Sequence, residues 1–98
     1  MARIVYSLKA LTDLERLADF LQNENPIEAV KTVTLITEAV QILENHPLIG
    51  RPVAQGLREL VVSRGKSGYL ALYSFEPSQD TILVLAVRHQ REAGFIQE

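Results

Sequence analysis

Arg88, His89 and Arg91 close the run Leu85-Ala86-Val87-Arg88-His89-Gln90-Arg91, where an apolar stretch turns cationic. An imidazole between two guanidiniums can hold a phosphate, the histidine moving a proton while the arginines stabilise transition-state charge. The same set equally suits the carboxylates of a protein partner, and a solvated strand end is the plain alternative. Arg58 joins the cluster if its strand aligns with the last one. In an extended segment Arg88 and His89 point to opposite faces, so one cleft takes both only where the strand ends or bulges. His46, the other histidine, precedes Pro47 and reads as a helix C-terminal residue, where partial positive charge is favourable. The sequence contains no glycine-rich phosphate loop, no nucleophile elbow and no histidine-carboxylate spacing suited to a metal. It has no cysteine, which removes disulfides, thiolate ligands and thiol nucleophiles. No cofactor and no metal are expected.

The elements that must position these residues can be read from periodicity. Arg3 to Tyr6 reads as a short first strand, and Ser7 can cap the helix after it. Over residues 9–23, Leu11, Leu14, Ala18 and Leu21 recur at steps of three and four among acidic and basic residues, which predicts an amphipathic helix. Asn25-Pro26-Ile27-Glu28 supplies a cap, a first-turn proline and a glutamate spaced for a capping box. A second helix therefore runs from 26 to about 45, with Ala29, Val33, Ile36, Val40 and Leu43 as its stripe and Leu35, Ala39 and Ile42 widening it. The short link makes the pair an antiparallel hairpin. Leu57–Val62, Tyr69–Phe75 and Thr81–Val87 read as three strands in an antiparallel meander. The order β-α-α-β-β-β makes an α+β domain spanning 1–98, with the hairpin on one face of the sheet.

Ile82 to Val87 is apolar at every position, and Leu70 and Leu72 point opposite to Tyr69, Ala71 and Tyr73, so the second face of the sheet is expected to meet a cover. Leu70, Leu72 and Leu85 are the candidate contacts there. The formal net charge is −2. Residues 1–50 hold four basic against seven acidic side chains, and residues 51–98 six against five. This balance disfavours a domain whose main task is gripping polyphosphate, so binding to free DNA is not expected. With no signal peptide and no apolar run near the roughly 18 residues of a membrane span, a cytoplasmic protein without membrane contact is expected.

Taken in order behind the strand and helical hairpin, Pro47-Leu48-Ile49-Gly50-Arg51, Leu57-Arg58-Glu59-Leu60, Gly68-Tyr69 with Tyr73, and Val87-Arg88-His89-Gln90-Arg91-Glu92-Ala93-Gly94 resemble the RelE/ParE toxins of bacterial type II toxin-antitoxin systems. The resemblance covers essentially the whole chain. It implies a RelE/ParE-like fold, in which an N-terminal strand and α-helical hairpin pack on an antiparallel sheet, and an antitoxin that wraps sheet and hairpin. RelE-like members cut messenger RNA on the ribosome with basic residues and often a tyrosine or histidine near the C-terminus. ParE-like members poison DNA gyrase and lack that set. Arg58 and Arg88 match arginines of the nucleases, although ParE-like chains also carry Arg58, and His89 can replace the tyrosine. Phe95 stands near the tyrosine position and has no hydroxyl to exchange a proton. Val53 to Leu57 lacks lysines, and the long, capped hairpin is ParE-like. The expectation is a gyrase-inhibiting toxin with a ParD-like antitoxin. A ribosome-dependent mRNA endonuclease using Arg58, Arg88 and His89 is the alternative, and a non-toxic binding module is the third. Arg58, Leu70, Leu72, Leu85, Arg88, His89, Arg91 and Phe95 form the expected target- or antitoxin-binding set.

Overall fold

The computed structural model describes residues 1–64 and 67–91. Strand β1 (Arg3–Tyr6) leads into helices α1 (Leu8–Glu24) and α2 (Pro26–Gln41), followed by a 3-10 turn, Ile42–Glu44. A two-residue strand β2 (Arg51–Pro52) and the strands β3 (Arg58–Arg64), β4 (Ser67–Glu76) and β5 (Thr81–His89) complete the fold. The sheet order is β1-β5-β4-β3-β2. The expected meander is present, and β1 adds to it in parallel beside β5, so the five-stranded sheet is mixed.

Local chemistry places each boundary. Ser7 Oγ accepts the Ala10 N–H at 3.0 Å and so caps α1, while its own hydroxyl donates to the Leu85 carbonyl at 3.1 Å. One residue thus starts the helix and fastens it to the last strand. Asn25 ends α1 by donating its backbone N–H to Leu21 O at 2.6 Å, and its side chain accepts from Ile27 and Glu28 N–H at 3.1 and 3.4 Å. A single residue therefore serves as both caps. Its backbone closes the first helix and its side chain opens the second.

The core lies between the hairpin and one face of the sheet. Tyr73, Ile36, Leu43, Ile82, Val40, Val84 and Val87 are fully buried in it, and each large apolar side chain of this kind is worth about 1.5–3 kcal/mol on burial. The buried stripe of α1 is Ala10, Leu14 and Leu17, with Leu11 half exposed. It is rotated from the expected stripe because Asp13 is also buried, a polar residue that a count of apolar positions passes over. Ile42 is likewise exposed, since α2 stops at Gln41 and the chain tightens into the 3-10 turn.

A β-bulge decides the orientation of β5. Leu72 pairs with Ala86 but Tyr73 pairs with Val84, which leaves Leu85 as the extra residue. Ile82 and Val84 face the hairpin, and after the bulge it is Val87 that does so, opposite Ala71. The phase change accounts for the unbroken apolar run: Val84 and Val87, three apart, both enter the same core.

Candidate functional site

The bulge at Leu85 lies upstream of the cationic cluster and separates it. Arg88 pairs with Leu70 on the open face of the sheet, whereas His89 pairs with Tyr69 on the hairpin face. The Arg88 Nη1 donates to the His89 and Gln90 carbonyls at 3.3 and 3.4 Å. The His89 ring meets Tyr69 edge-on, with centroids 5.2 Å apart at 87°. Its Nδ1 accepts the Arg91 backbone N–H at 3.0 Å, so the neutral ring carries its proton on Nε2.

Helix α1 supplies the facing wall. Arg16, Leu17, Phe20 and Leu21 with Tyr69, His89 and Arg91 line a groove of about 580 Å³. Its floor is apolar and its rim cationic. Phe20 is 65% exposed there, a large ring left in water beside a cavity. Asp13 fixes the two walls together. Past Tyr6, which pairs with Val84, β1 no longer covers the outer edge of β5. Asp13 Oδ2 takes over that role by accepting the Val87 N–H at 2.9 Å, and Lys9 pairs with the same carboxylate at 3.1 Å. Arg16 lies 3.9 Å from the other oxygen.

Arg58 belongs elsewhere. It pairs with Tyr73 on the hairpin side, and its Nη1 donates to Leu48 O at 3.1 Å and Gly50 O at 2.7 Å. Tyr73, buried in the same place, accepts the Gly50 N–H at 2.9 Å and donates to Pro47 O at 2.8 Å. Burial raises the Tyr73 pKa, against the opposing effects of the Gly50 N–H and the Arg58 charge. On the open face, Arg51 closes the same loop through Glu59, its Nε 3.0 Å from a carboxylate that is almost wholly buried. The motif residues Pro47, Gly50, Arg51, Arg58, Glu59 and Tyr73 therefore form one hydrogen-bonded latch that ties the loop after the hairpin to β3 and β4.

The expected site residues thus fall into separate places. His89 and Arg91 come together in the groove. Arg88 lies on the opposite face of the sheet from them, and Arg58 sits in the latch. Along β4, their partners Leu70 and Tyr73 are three residues apart, about 10 Å, and on opposite faces. Leu70 is only 3% exposed, so it underlies the open face and does not line it. Leu72 and Leu85 are half-buried on that side. Phe95 lies outside the described residues. Arg16, Leu17, Phe20, Leu21 and Tyr69 are not among the residues that sequence reasoning selects for a site. The signal available for them is Phe20, an aromatic ring flanking the apolar stripe of α1.

Comparison with known proteins agrees with this architecture. Residues 4–94 match the family described as the ParE toxin of type II toxin-antitoxin system, parDE. The chain is 34% identical over 84 residues to Toxin RelE3 of Caulobacter vibrioides, covering 86% of this chain and 89% of that one. Among solved structures, it is similar to a chain of the chromosomal ParDE system from P. aeruginosa, with 26% identity, a TM-score of 0.76 and coverage of 91% and 96% of the two chains. A chain of the RelBE2 toxin-antitoxin complex from Mycobacterium tuberculosis, 24% identical with a TM-score of 0.58 over 91% and 98%, shares the fold. A family match running through both helices and all five strands, on a sheet and hairpin of the same build, leaves one conclusion: the chain belongs to the ParE toxin family of type II toxin-antitoxin systems.

Proposed function

We propose that this toxin acts by inhibiting DNA gyrase and is neutralised by a ParD-like antitoxin. One observation carries the choice of target: Arg58 and Arg88, the two arginines a nuclease would need around one phosphate, are on opposite faces of the sheet. Arg58 is also committed to two backbone carbonyls. Stabilising a pentacoordinate phosphate requires donors converging on one point, and these diverge. A toxin that works by binding a protein has no such requirement. The solved relatives include chains from toxin-antitoxin complexes, which supports an antitoxin as the second partner.

The ribonuclease reading is favoured by a different observation. His89 lines a groove with Arg16 and Arg91, and two relatives carry the name RelE. The deciding experiment is gyrase supercoiling of relaxed plasmid, titrated with the purified protein and scored for lost supercoiling and for trapped double-strand breaks. Inhibition relieved by the antitoxin encoded beside the toxin gene is the expected result. No inhibition by folded protein, together with message cleaved on programmed ribosomes and intact after His89→Ala, would replace gyrase with the ribosome.

A further inference from the structure

We infer that α2 pairs with the α2 of a second copy of this chain, antiparallel, through the face it turns away from the core. The inference uses neither the gyrase nor the antitoxin reading.

The buried residues of α2 are Ala29, Thr32, Ile36 and Val40. On the opposite side stand Ile27, Lys31, Thr34 and Glu38, all exposed. That side continues to Ile42, whose backbone is still helical at φ −59° and ψ −28°. Ile27 is 66% exposed, Val30 beside it 67% and Ile42 50%. Scattered exposed aliphatics are ordinary on a protein surface. The order in which these stand is what identifies an occupant.

Apart from the sign of its charges, the face reads the same from either end. Ile27, Lys31, Glu38 and Ile42 are separated by steps of four, seven and four residues, so the pattern is centred between Thr34 and Leu35. A twofold axis at that point, perpendicular to the helix, runs the second α2 antiparallel to the first. In such a contact residue i meets j and j meets i. Ile27 then lies level with Ile42 of the second copy, and Lys31 with its Glu38, each contact being made twice. Seven residues are two helical turns, about 10 Å, which keeps Lys31 and Glu38 in one row along the helix. A parallel pair would set lysine on lysine and glutamate on glutamate, so charge selects the antiparallel one. Among the described residues neither Lys31 nor Glu38 has an ion-pair partner within the chain. Both border a shallow depression with Val30, Thr34 and Leu35, at the middle of the pattern, where side chains of a second helix can seat. The aliphatic ends supply burial and the paired charges fix the register. No residue of α2 lines the groove between α1 and β5, so the two surfaces are separate.

Sedimentation equilibrium of the purified full-length chain, without antitoxin, tests this. One helix face is smaller than the roughly 800 Å² per partner of a stable complex, so a monomer–dimer equilibrium with a dissociation constant on the order of 10 μM is expected. Lys31→Glu and Glu38→Lys change exposed side chains and leave the core intact. Each sets like charges opposite one another twice, and each is expected to weaken the dimer by about tenfold or more. Mixing the two variants in equal amounts restores both opposite-charge pairs in a mixed dimer, which should return to within about threefold of the parent affinity. A chain that stays monomeric well above the expected constant would overturn the inference and leave this face to a different protein. A dimer that neither variant weakens would overturn it too, by placing the contact on another face. Weakening by both variants without recovery in the mixture would exclude the antiparallel register.

Discussion

Tyr73 shows how much one side chain can organise. Its hydroxyl is both donor and acceptor, to Pro47 O and from Gly50 N–H, at the bottom of the core. Gly50 is required by this closeness: a Cβ there would lie 2.6 Å from Tyr73 Cε1 and 2.6 Å from its hydroxyl oxygen. Gly50→Ala is expected to cost about 1–3 kcal/mol as the overpacked ring is pushed aside. Tyr73→Phe should cost about 1–3 kcal/mol by leaving a buried N–H without its acceptor. Urea unfolding of both variants measures these losses. The same residue sets an alkaline limit. Burial raises the Tyr73 pKa above its ordinary 10.0, and burial raises Tyr6 as well. The folded state thus favours the protonated phenol, so this stabilisation is complete below the unfolded value and is lost as pH rises through the folded one. The urea midpoint should fall above about pH 10 in the parent and fall less steeply in Tyr73→Phe.

At the scale of elements, the decisive join is between α1 and β5. A short β1 leaves the far half of β5 with an open edge, and Asp13 closes it at Val87. The carboxylate is buried, with Lys9 beside it, so its removal strands a buried amide. Asp13→Ala is expected to destabilise the protein by about 1–3 kcal/mol and to speed hydrogen exchange at the Val87 amide. Asp13→Asn retains an acceptor oxygen and should lose clearly less. An equal loss in both variants would show that charge, and not the hydrogen bond to the strand, is what Asp13 contributes. Arg16 and Phe20 follow Asp13 on α1, so this bond ties the helical wall of the groove to β5.

For the whole molecule, the charge distribution argues for protein partners. The net charge is −2, and among the described arginines Arg16 and Arg91 line the groove, Arg58 sits in the latch and Arg88 lies on the open face. Phosphate backbones reward a contiguous basic track that releases many counterions at once, and dispersed arginines release few. The isolated toxin is expected not to retard a short DNA duplex in a mobility-shift assay at physiological salt. Retardation that weakens steeply with added salt would instead point to a nucleic-acid target. Among the described residues no helix is long and apolar enough to cross a membrane.

The elements and their order are written in local sequence. Ser7 and Asn25 are caps that act over three residues, the helical stripes act over four, and the strands declare themselves by β-branched composition. The family motifs are legible too, but not their role. Gly50, Arg58 and Tyr73 look like separate landmarks until the fold brings residues 23 apart within 2.9 Å. Which of Arg88 and His89 enters the groove is settled by tertiary packing. Strict alternation from Ile82 and Val84 would have sent Arg88 to the hairpin face and His89 away from it. The bulge at Leu85 reverses them, and Ser7, 78 residues earlier, holds the Leu85 carbonyl there. A period of two carries no information about where it slips. The slip is set by the packing of Val84 and Val87 into one core and by partners from the other end of the chain, which exist only once the fold has formed.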